Sequence, residues 1–263
     1  MHNGLHSRTP SCLEDIPVST IAQPYARPAQ TNRSTDRIFF PLLTLVILVI
    51  VFLGFSRTYY TAGMVLAPLP NALIHVHGAA FTGWLLMLAV QTGLVAGGRT
   101  DIHRKLGLWG FGLACLMVVL GLLAATDQLR RGHGTLGLDP ATFYIIPVSD
   151  ILTFAVLTGL SFRARRRPAA HKRLLMIGTI GMLDAAVYRM PYAFTRSSHW
   201  HADAVSYALL LALMLYDLAS TYRVQKATLW ASLAVIVVQQ VRVPLGFSPP
   251  WHAFAHMMQH VKV

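Results

Sequence analysis

The segment Asp150-Ile-Leu-Thr-Phe-Ala-Val-Leu157 has a second copy further along the chain, Asp203-Ala-Val-Ser-Tyr-Ala-Leu-Leu210. The same offset of 53 residues places Arg189-Met-Pro191 on Arg242-Val-Pro244. Each copy therefore has an Asp near the start of one apolar segment and an Arg near the end of the next. Internal repeats define an architecture, because each copy is one structural unit that packs against its neighbour. The pattern predicts two related helical hairpins.

The composition around this repeat is that of a membrane protein. Of the 263 residues, 54% are hydrophobic and only 12% are charged, and the mean hydropathy is +0.51. Soluble domains have about 25% charged residues. Seven apolar segments are long enough, or nearly so, to cross a hydrocarbon core about 30 Å thick. We predict helices at residues 38–56, 72–96, 106–126, 142–162, 173–195, 203–221 and 228–246.

These segments predict an all-α polytopic membrane protein with seven transmembrane helices. One lead helix is followed by three hairpins, of which the last two form the repeat. Residues 1–37 are polar and contain four prolines, which predicts a disordered tail. The transmembrane domain spans residues 38–246. In residues 247–263, histidines recur every four positions beside Trp251 and Phe254, which favours an extracytoplasmic, interfacial amphipathic helix over a metal site.

The distribution of Lys and Arg predicts the orientation. With the N-terminus in the cytoplasm, cytoplasmic segments hold 15 of the 22 basic residues and the opposite side holds five. Positive charge is enriched on the cytoplasmic side of membrane proteins, so we expect a cytoplasmic N-terminus and an extracytoplasmic C-terminus in the cytoplasmic membrane. The net charge of +12 then reflects topology and attraction to the lipid bilayer. It does not indicate a nucleic-acid partner.

Five polar residues gather at the predicted outer ends of the helices: His77, Asp150, Arg189, Asp203 and Arg242. Charges inside apolar segments are costly and mark functional sites or polar interiors. In one interpretation the two Asp side chains pair with the two Arg side chains and only hold helices together. In the other, the five residues line an outward-facing pocket that binds a small ligand or a metal.

A metal site would use His75 and His77 together with Asp150 and Asp203, because imidazole and carboxylate groups bind iron, manganese or zinc. Residues two apart on a helix point about 200° away from each other. The two histidines therefore chelate one ion only where the helix has not begun or is unwound. We expect His77 to face the bundle, because it shares a helix face with Phe81.

At the predicted cytoplasmic ends, His103 and His171 each precede basic residues at the start of a helix. One interpretation is contact with lipid phosphate groups. The alternative is axial ligation of a b-type haem, which needs two His at similar depth on neighbouring helices. Asp217 lies on the same side and could orient one imidazole. Asp184, in the middle of predicted helix 5, has no partner that the sequence identifies.

Three segments carry a family resemblance: His75-Val-His77-Gly78, Phe81-Thr82-Gly83-Trp84 and Arg99-Thr-Asp-Ile-His-Arg-Lys-Leu-Gly107. They resemble a widespread family of uncharacterised bacterial multi-pass membrane proteins, which implies a bacterial cytoplasmic membrane but no activity. The His-Arg-Lys-Leu-Gly opening of helix 3 is also loosely similar to cytochrome b561-type proteins, which implies haem. Those proteins place two His several turns apart in one helix, and no helix here has that pair.

Several enzyme classes are excluded because the sequence has no nucleotide-binding phosphate loop, nucleophile elbow or calcium-binding loop. The favoured function is a redox role, in which His and carboxylate groups hold iron or copper next to a lipid-soluble quinone. The alternative is a transporter, or an accessory or structural protein whose Asp and Arg residues form ion pairs between helices. Internal repeats are common in transporters. The sequence does not decide whether the protein is an enzyme.

Overall fold

The computed structural model describes residue 1 and residues 33–61, 71–132, 134–190 and 199–260. The chain divides into two units, residues 1–30 and 31–263, and the architecture below is that of the second. The predicted disordered tail lies outside the described residues up to residue 32. Residues 33–37, which the sequence analysis assigned to that tail, belong to the first helix.

The described residues contain helices and turns but no strand, so the predicted all-α class is confirmed for this part of the chain. Helix α2 occupies the predicted range, and α4 continues through Pro147. A π-helical turn, Ser56–Tyr60, extends the first helix. The helices are α1 (Arg33–Phe55), α2 (Ala72–Ala96), α3 (Thr100–Arg130), α4 (Pro140–Arg163), α5 (Pro168–Ile180), α6 (Asp184–Val187), α7 (His199–Thr221), α8 (Lys226–Gly246) and α9 (Pro249–Gln259).

Six of the described helices are long and apolar enough to cross a membrane. Their outward faces carry exposed large apolar side chains, among them Phe52, Leu215 and Trp230, as expected for surfaces that contact lipid. The molecule is therefore a multi-pass membrane protein, but the predicted count of seven spans is not confirmed. The six spans are Ser34–Tyr60, Ala72–Ala96, Thr100–Arg130, Pro140–Arg163, Asp203–Thr221 and Lys226–Gly246.

The predicted fifth span, residues 173–195, is broken in the structure. Helix α5 has 13 residues, about 20 Å at 1.5 Å per residue, which is shorter than the hydrocarbon core. A tight turn follows, in which Leu183 N donates to Ile180 O at 3.0 Å. Ser206 Oγ of α7 donates to the same carbonyl at 3.3 Å. Breaks within membrane proteins are tolerated where neighbouring helices satisfy the freed backbone groups, and Ser206 does so here.

Helix α4 is central, because α3, α5, α8 and α9 all pack against it. Close approach of helices depends on small residues. In α1, a Cβ added at Gly54 would lie 2.1 Å from Ala186 O of α6. In α8, a Cβ at Gly246 would lie 3.1 Å from Thr142 O of α4. These contacts bring α1 and α8 close to the broken helix and to α4.

The end of the bundle at which α5 and α8 begin is held by a fully buried ion pair. Arg173 donates to Asp217 Oδ1 through Nη2 and, at 2.9 Å, through Nε. The other oxygen of Asp217 accepts from Gln225 N at 3.0 Å and from Thr228 Oγ1 at 2.5 Å. Both charged side chains have no exposed surface. One carboxylate thus joins α5, α7 and the start of α8.

A second polar contact at the same end joins α1 to α5 and α7. Asp36 accepts from Lys172 at 2.6 Å and from Tyr216 Oη at 2.7 Å. The ring of Phe39 stacks on the ring of Tyr216, with 3.8 Å between their centroids. These contacts fix α1 against the helices that bear Arg173 and Asp217.

Helix α9 packs on the opposite end, against α3 and α4. Trp251 Nε1 donates to Ala141 O at 2.8 Å, and Ala255 is fully buried. His252 Nε2 lies 3.1 Å from Thr142 Oγ1. His252 therefore contacts α4, so the three regularly spaced His residues do not act as one free polar face.

Candidate functional site: an intramembrane cavity

A cavity of about 420 Å³ lies among the helices. Its wall is largely apolar and aromatic, with Phe55, Tyr60, Phe81, Trp84 and Phe143 among the lining residues. Every residue of the pocket that the sequence analysis assigned also lines it, together with further polar residues such as Asp184, Gln239 and Arg131. The polar lining includes His77, Asp150, Asp184, Arg189, Asp203, Gln239 and Arg242.

Three carboxylates share one guanidinium at this cavity. Arg242 Nη1 donates to Asp150 Oδ1 at 2.5 Å. Its Nη2 donates to Asp184 Oδ2 at 2.6 Å and to Asp203 Oδ1 at 3.1 Å. The Arg242 side chain is only 5% exposed. We call these four residues, contributed by α4, α6, α7 and α8, the Asp/Arg cluster.

Asp184 is the member of the cluster that the sequence analysis left without a partner. Gln239 Nε2 donates to its Oδ2 at 2.9 Å, and Ser206 Oγ donates to its Oδ1 at 3.1 Å. Gln239 and Arg242 are three residues apart in α8 and so lie on one face of that helix. This spacing is a sequence signal that could have pointed to a shared acceptor, but the sequence analysis did not use it. Asp184 thus connects the broken helix to both α7 and α8.

The expected pairing of two Asp with two Arg is wrong for Arg189. This side chain is exposed, donates to Ala185 O at 2.6 Å and lies 5.0 Å from the centroid of the Phe55 ring. No carboxylate in the described ranges forms an ion pair with it. The reason is the break after α5, which removes Arg189 from the helical position that Arg242 occupies in α8.

The repeat is nevertheless visible in the position of its acidic residues. Asp150 in α4 and Asp203 in α7 contact the same guanidinium, so their carboxylates lie at the same depth. The second helix of each hairpin differs, because α8 is continuous where α5 and α6 are separate. The two copies therefore contribute unequally to the cluster: two Asp from matching positions, but Arg242 from one copy only.

Three buried polar atoms of the lining residues have no hydrogen-bond partner among the described residues. They are Arg242 Nε, Gln239 Oε1 and His77 Nδ1. Buried polar groups in folded proteins are nearly always paired, and an unpaired one costs about 1–3 kcal/mol. One guanidinium N–H donor, one amide acceptor and one imidazole nitrogen of the lining residues are therefore unsatisfied, and a ligand in the cavity could reach them after a small rotation of these side chains.

The two histidines of the predicted metal site lie apart from each other. His77 packs on Phe81, with 4.2 Å between ring centroids, and lines the cavity. His75 is exposed. In the part of the chain that the structure describes, no three His, Cys, Asp or Glu side chains are grouped to hold a metal ion. A metal held by His75, His77, Asp150 and Asp203 stays a prediction.

The two histidines of the haem alternative lie beside each other at the opposite end. The ring centroids of His103 and His171 are 6.2 Å apart. His171 Nδ1 contacts Ser161 O at 2.9 Å. Gln91, with its amide oriented to satisfy both of its polar groups, donates to His103 Nδ1 at 2.5 Å. Asp217 pairs with Arg173, so the expectation that it orients one imidazole is not met.

The six apolar spans and the buried cavity define a multi-pass integral membrane protein with an internal polar site. No protein-family model matches the chain, and no curated protein or solved structure matches it either. The resemblances to a bacterial membrane-protein family and to cytochrome b561-type proteins therefore stay expectations.

Proposed function

We propose that this protein binds a small amphipathic molecule within the membrane, with the apolar body of the ligand against the aromatic wall and its polar group at the Asp/Arg cluster. The observation that supports this proposal is one cavity that combines both surfaces. Ligand pockets are typically about 300–1,000 Å³, mostly apolar, with a few convergent polar groups. A volume of about 420 Å³ suits a molecule with one aromatic ring and a short chain.

The test is ligand titration of the purified protein in lipid nanodiscs, with protein-free nanodiscs subtracted to correct for partitioning. The probes are ubiquinone-1, 4-phenylbutanol and 4-phenylbutylamine. Ala124 of α3 lines the cavity, so Ala124→Phe should weaken the binding of each probe that binds the wild-type protein by about tenfold or more. Val119, on the same helix, is exposed, so Val119→Phe is the matched control and should bind normally. If none of the probes binds above the blank, the proposal is wrong.

In the redox version of this proposal the ligand is a lipid-soluble quinone, and iron, copper or b-type haem carries the electrons. His171 suits a haem ligand, because its Nδ1 lies beside the carbonyl of Ser161 and can donate to it while Nε2 stays free. His103 would first have to release the hydrogen bond that its Nδ1 accepts from Gln91, since that bond leaves the proton on Nε2. Bis-His haem would give the purified protein a Soret band that shifts on dithionite reduction. His103→Ala and His171→Ala would each abolish that band. Colourless protein without stoichiometric iron or copper would exclude the redox version.

A transporter is the second candidate, and the broken helix favours it. Transporters place discontinuous helices beside their substrate sites near the middle of the membrane. Here the break after Ile180 lies beside Asp184, which contacts Arg242 of α8. Uptake of a bound probe into proteoliposomes, absent in an Asp184→Ala variant that still folds, would support this function. Binding without uptake would leave the ligand-binding proposal alone.

The orientation belongs to the same proposal: the cavity opens at the extracytoplasmic end, and the N-terminus lies in the cytoplasm. The support is the excess of Lys and Arg at residues 99–105 and 163–173, around the α2–α3 and α4–α5 connections. Reporter fusions after residues 60 and 130 should report the outer side. Cytoplasmic signals at both positions would reverse the orientation.

A further inference from the structure

The charges at the cavity do not balance. The Asp/Arg cluster contains three carboxylates and one guanidinium. Two further arginines line the cavity: Arg189 is exposed and forms no ion pair with a described carboxylate, and Arg131 pairs with Asp127 at 2.9 Å, outside the cluster. Even if Arg189 and Arg242 are both counted, one negative charge is left without a protein partner. A buried charge without compensation is strongly unfavourable, so the empty site would hold one carboxyl protonated, and a cation that enters can take the place of that proton.

Two of the free hydrogen-bonding groups have the matching polarity. Asp150 accepts from Arg242 through Oδ1, and no described residue donates to its Oδ2. Gln239 Oε1, on a side chain that is 4% exposed, is also without a donor. Both atoms are acceptors, and an ammonium group carries three N–H donors and no acceptor. A protonated amine therefore satisfies the two acceptors and supplies the missing positive charge.

The aromatic wall suits the same ligand. Phe55, Tyr60, Phe81, Trp84 and Phe143 line the cavity. The faces of aromatic rings attract cations, by about 0.5–2 kcal/mol for each favourable contact, and they also bury the apolar part of a ligand. A quinone, by contrast, offers only acceptors: it could accept from Arg242 Nε, but it would leave the acceptors of Asp150 and Gln239 without a donor.

We propose that the cavity selects a lipophilic monocation, an amine with an apolar body, whose ammonium group binds at Asp150 and Gln239. The charged and titratable groups that line the cavity around it include Asp184 from α6, Asp203 from α7, Arg242 from α8, His77 from α2 and Arg189 after α6. This inference rests on the proposed function, since it names the class of ligand for the same cavity.

The test compares 4-phenylbutylamine with 4-phenylbutanol, two probes of nearly the same size that differ in charge. At neutral pH the amine is protonated, as alkyl amines have a pKa of about 10.4. We expect the amine to bind at least about tenfold more tightly than the alcohol, a difference of 1.4 kcal/mol. Equal binding of the two probes, or tighter binding of the alcohol, would overturn the inference while leaving the proposed function in place.

Two matched substitutions locate the selectivity. Asp150→Asn keeps the shape of the side chain but removes one negative charge, so binding of the amine should weaken about tenfold more than binding of the alcohol. Circular dichroism and a monodisperse size-exclusion profile show independently that the variant is folded. Asp101 is exposed and lies at the start of α3, so Asp101→Asn should keep the full preference. The inference is wrong if sodium ions stabilise the protein and Asp150→Asn has the same preference between the two probes as Asp101→Asn. The cluster would then bind an inorganic cation.

Discussion

The buried ion pair between Arg173 and Asp217 allows a quantitative test of how the broken helix is held. Asp217→Ala removes the partner of a guanidinium with no exposed surface. It also removes the acceptor for Gln225 N and Thr228 Oγ1. Breaking a buried pair from one side costs about 3–5 kcal/mol, because the remaining charge is left unpaired. For a protein of this size each kcal/mol lowers the melting temperature by about 2–4 °C, so we expect a fall of about 6–20 °C.

The chain offers an exposed pair as the control. Arg99 Nε lies 3.6 Å from Asp101, and the two side chains are 63% and 66% exposed. Exposed pairs contribute about 0–1 kcal/mol, so Asp101→Ala should lower the melting temperature by no more than about 4 °C. Both temperatures are measured by differential scanning fluorimetry of the purified protein in one detergent.

The double variant Arg173→Met/Asp217→Leu separates charge from packing. It removes both charges and fills the space with apolar side chains, so it should recover much of the loss caused by Asp217→Ala. Recovery stays incomplete, since Gln225 N loses its acceptor. A fall for Asp217→Ala no larger than that for Asp101→Ala would show that the pair does not stabilise the junction of α5, α7 and α8.

Two further predictions concern local structure. Gly54→Ala should destabilise the protein, because the new Cβ would lie 2.1 Å from Ala186 O. The control is Gly112→Ala, which should be neutral or stabilising, because nothing lies within 4 Å of its Cβ. Equal melting temperatures for the two variants would contradict the close approach of α1 and α6. Asp139 caps α4 by accepting from Ala141 N at 3.0 Å and from Thr142 N at 3.1 Å. Partial burial raises the pKa of Asp139, but its hydrogen bonds to Thr142 outweigh this effect. The pKa therefore lies below its usual value. A carboxyl with a lowered pKa stabilises the fold above its unfolded pKa of about 3.9 and loses this contribution as the pH falls through the folded value. Asp139→Ala should therefore lower the free energy of unfolding by about 1 kcal/mol at neutral pH and by progressively less below about pH 4. A difference from wild type that stays constant with pH would contradict this.

Much of the helical framework could be predicted from the sequence, because it depends on the length of apolar segments. Helix α2 has the predicted bounds, and α4 and α8 begin within two residues of theirs. The fifth segment is apolar over a comparable length, yet it breaks near Gly181. Hydropathy measures composition along one dimension. It does not show that Ser206, on α7, lies where its hydroxyl can donate to the backbone carbonyl of Ile180 at the break.

The polar residues of the site were identifiable, but not their partners. Intramembrane charge singled out Asp150, Asp203 and Arg242, which the structure places in one cluster. Which carboxylate meets which guanidinium depends on the rotation of each helix about its axis, and the repeat offset carries no information about rotation. Asp184 was therefore left without a partner, and Arg189 was given one that the structure does not provide.

The break in the fifth helix and the excess negative charge are connected through Asp184. If α5 continued as α8 does, Arg189 would occupy the position that matches Arg242, and two arginines would face two matching Asp residues. The break instead moves Arg189 away and adds Asp184, which accepts from Arg242, Gln239 and Ser206. One change in backbone path thus converts a balanced pair of ion pairs into a cluster of three carboxylates around one guanidinium. In a symmetric bundle the charges would balance and no carboxylate would be left for a cation. In this asymmetric bundle the carboxylates are in excess.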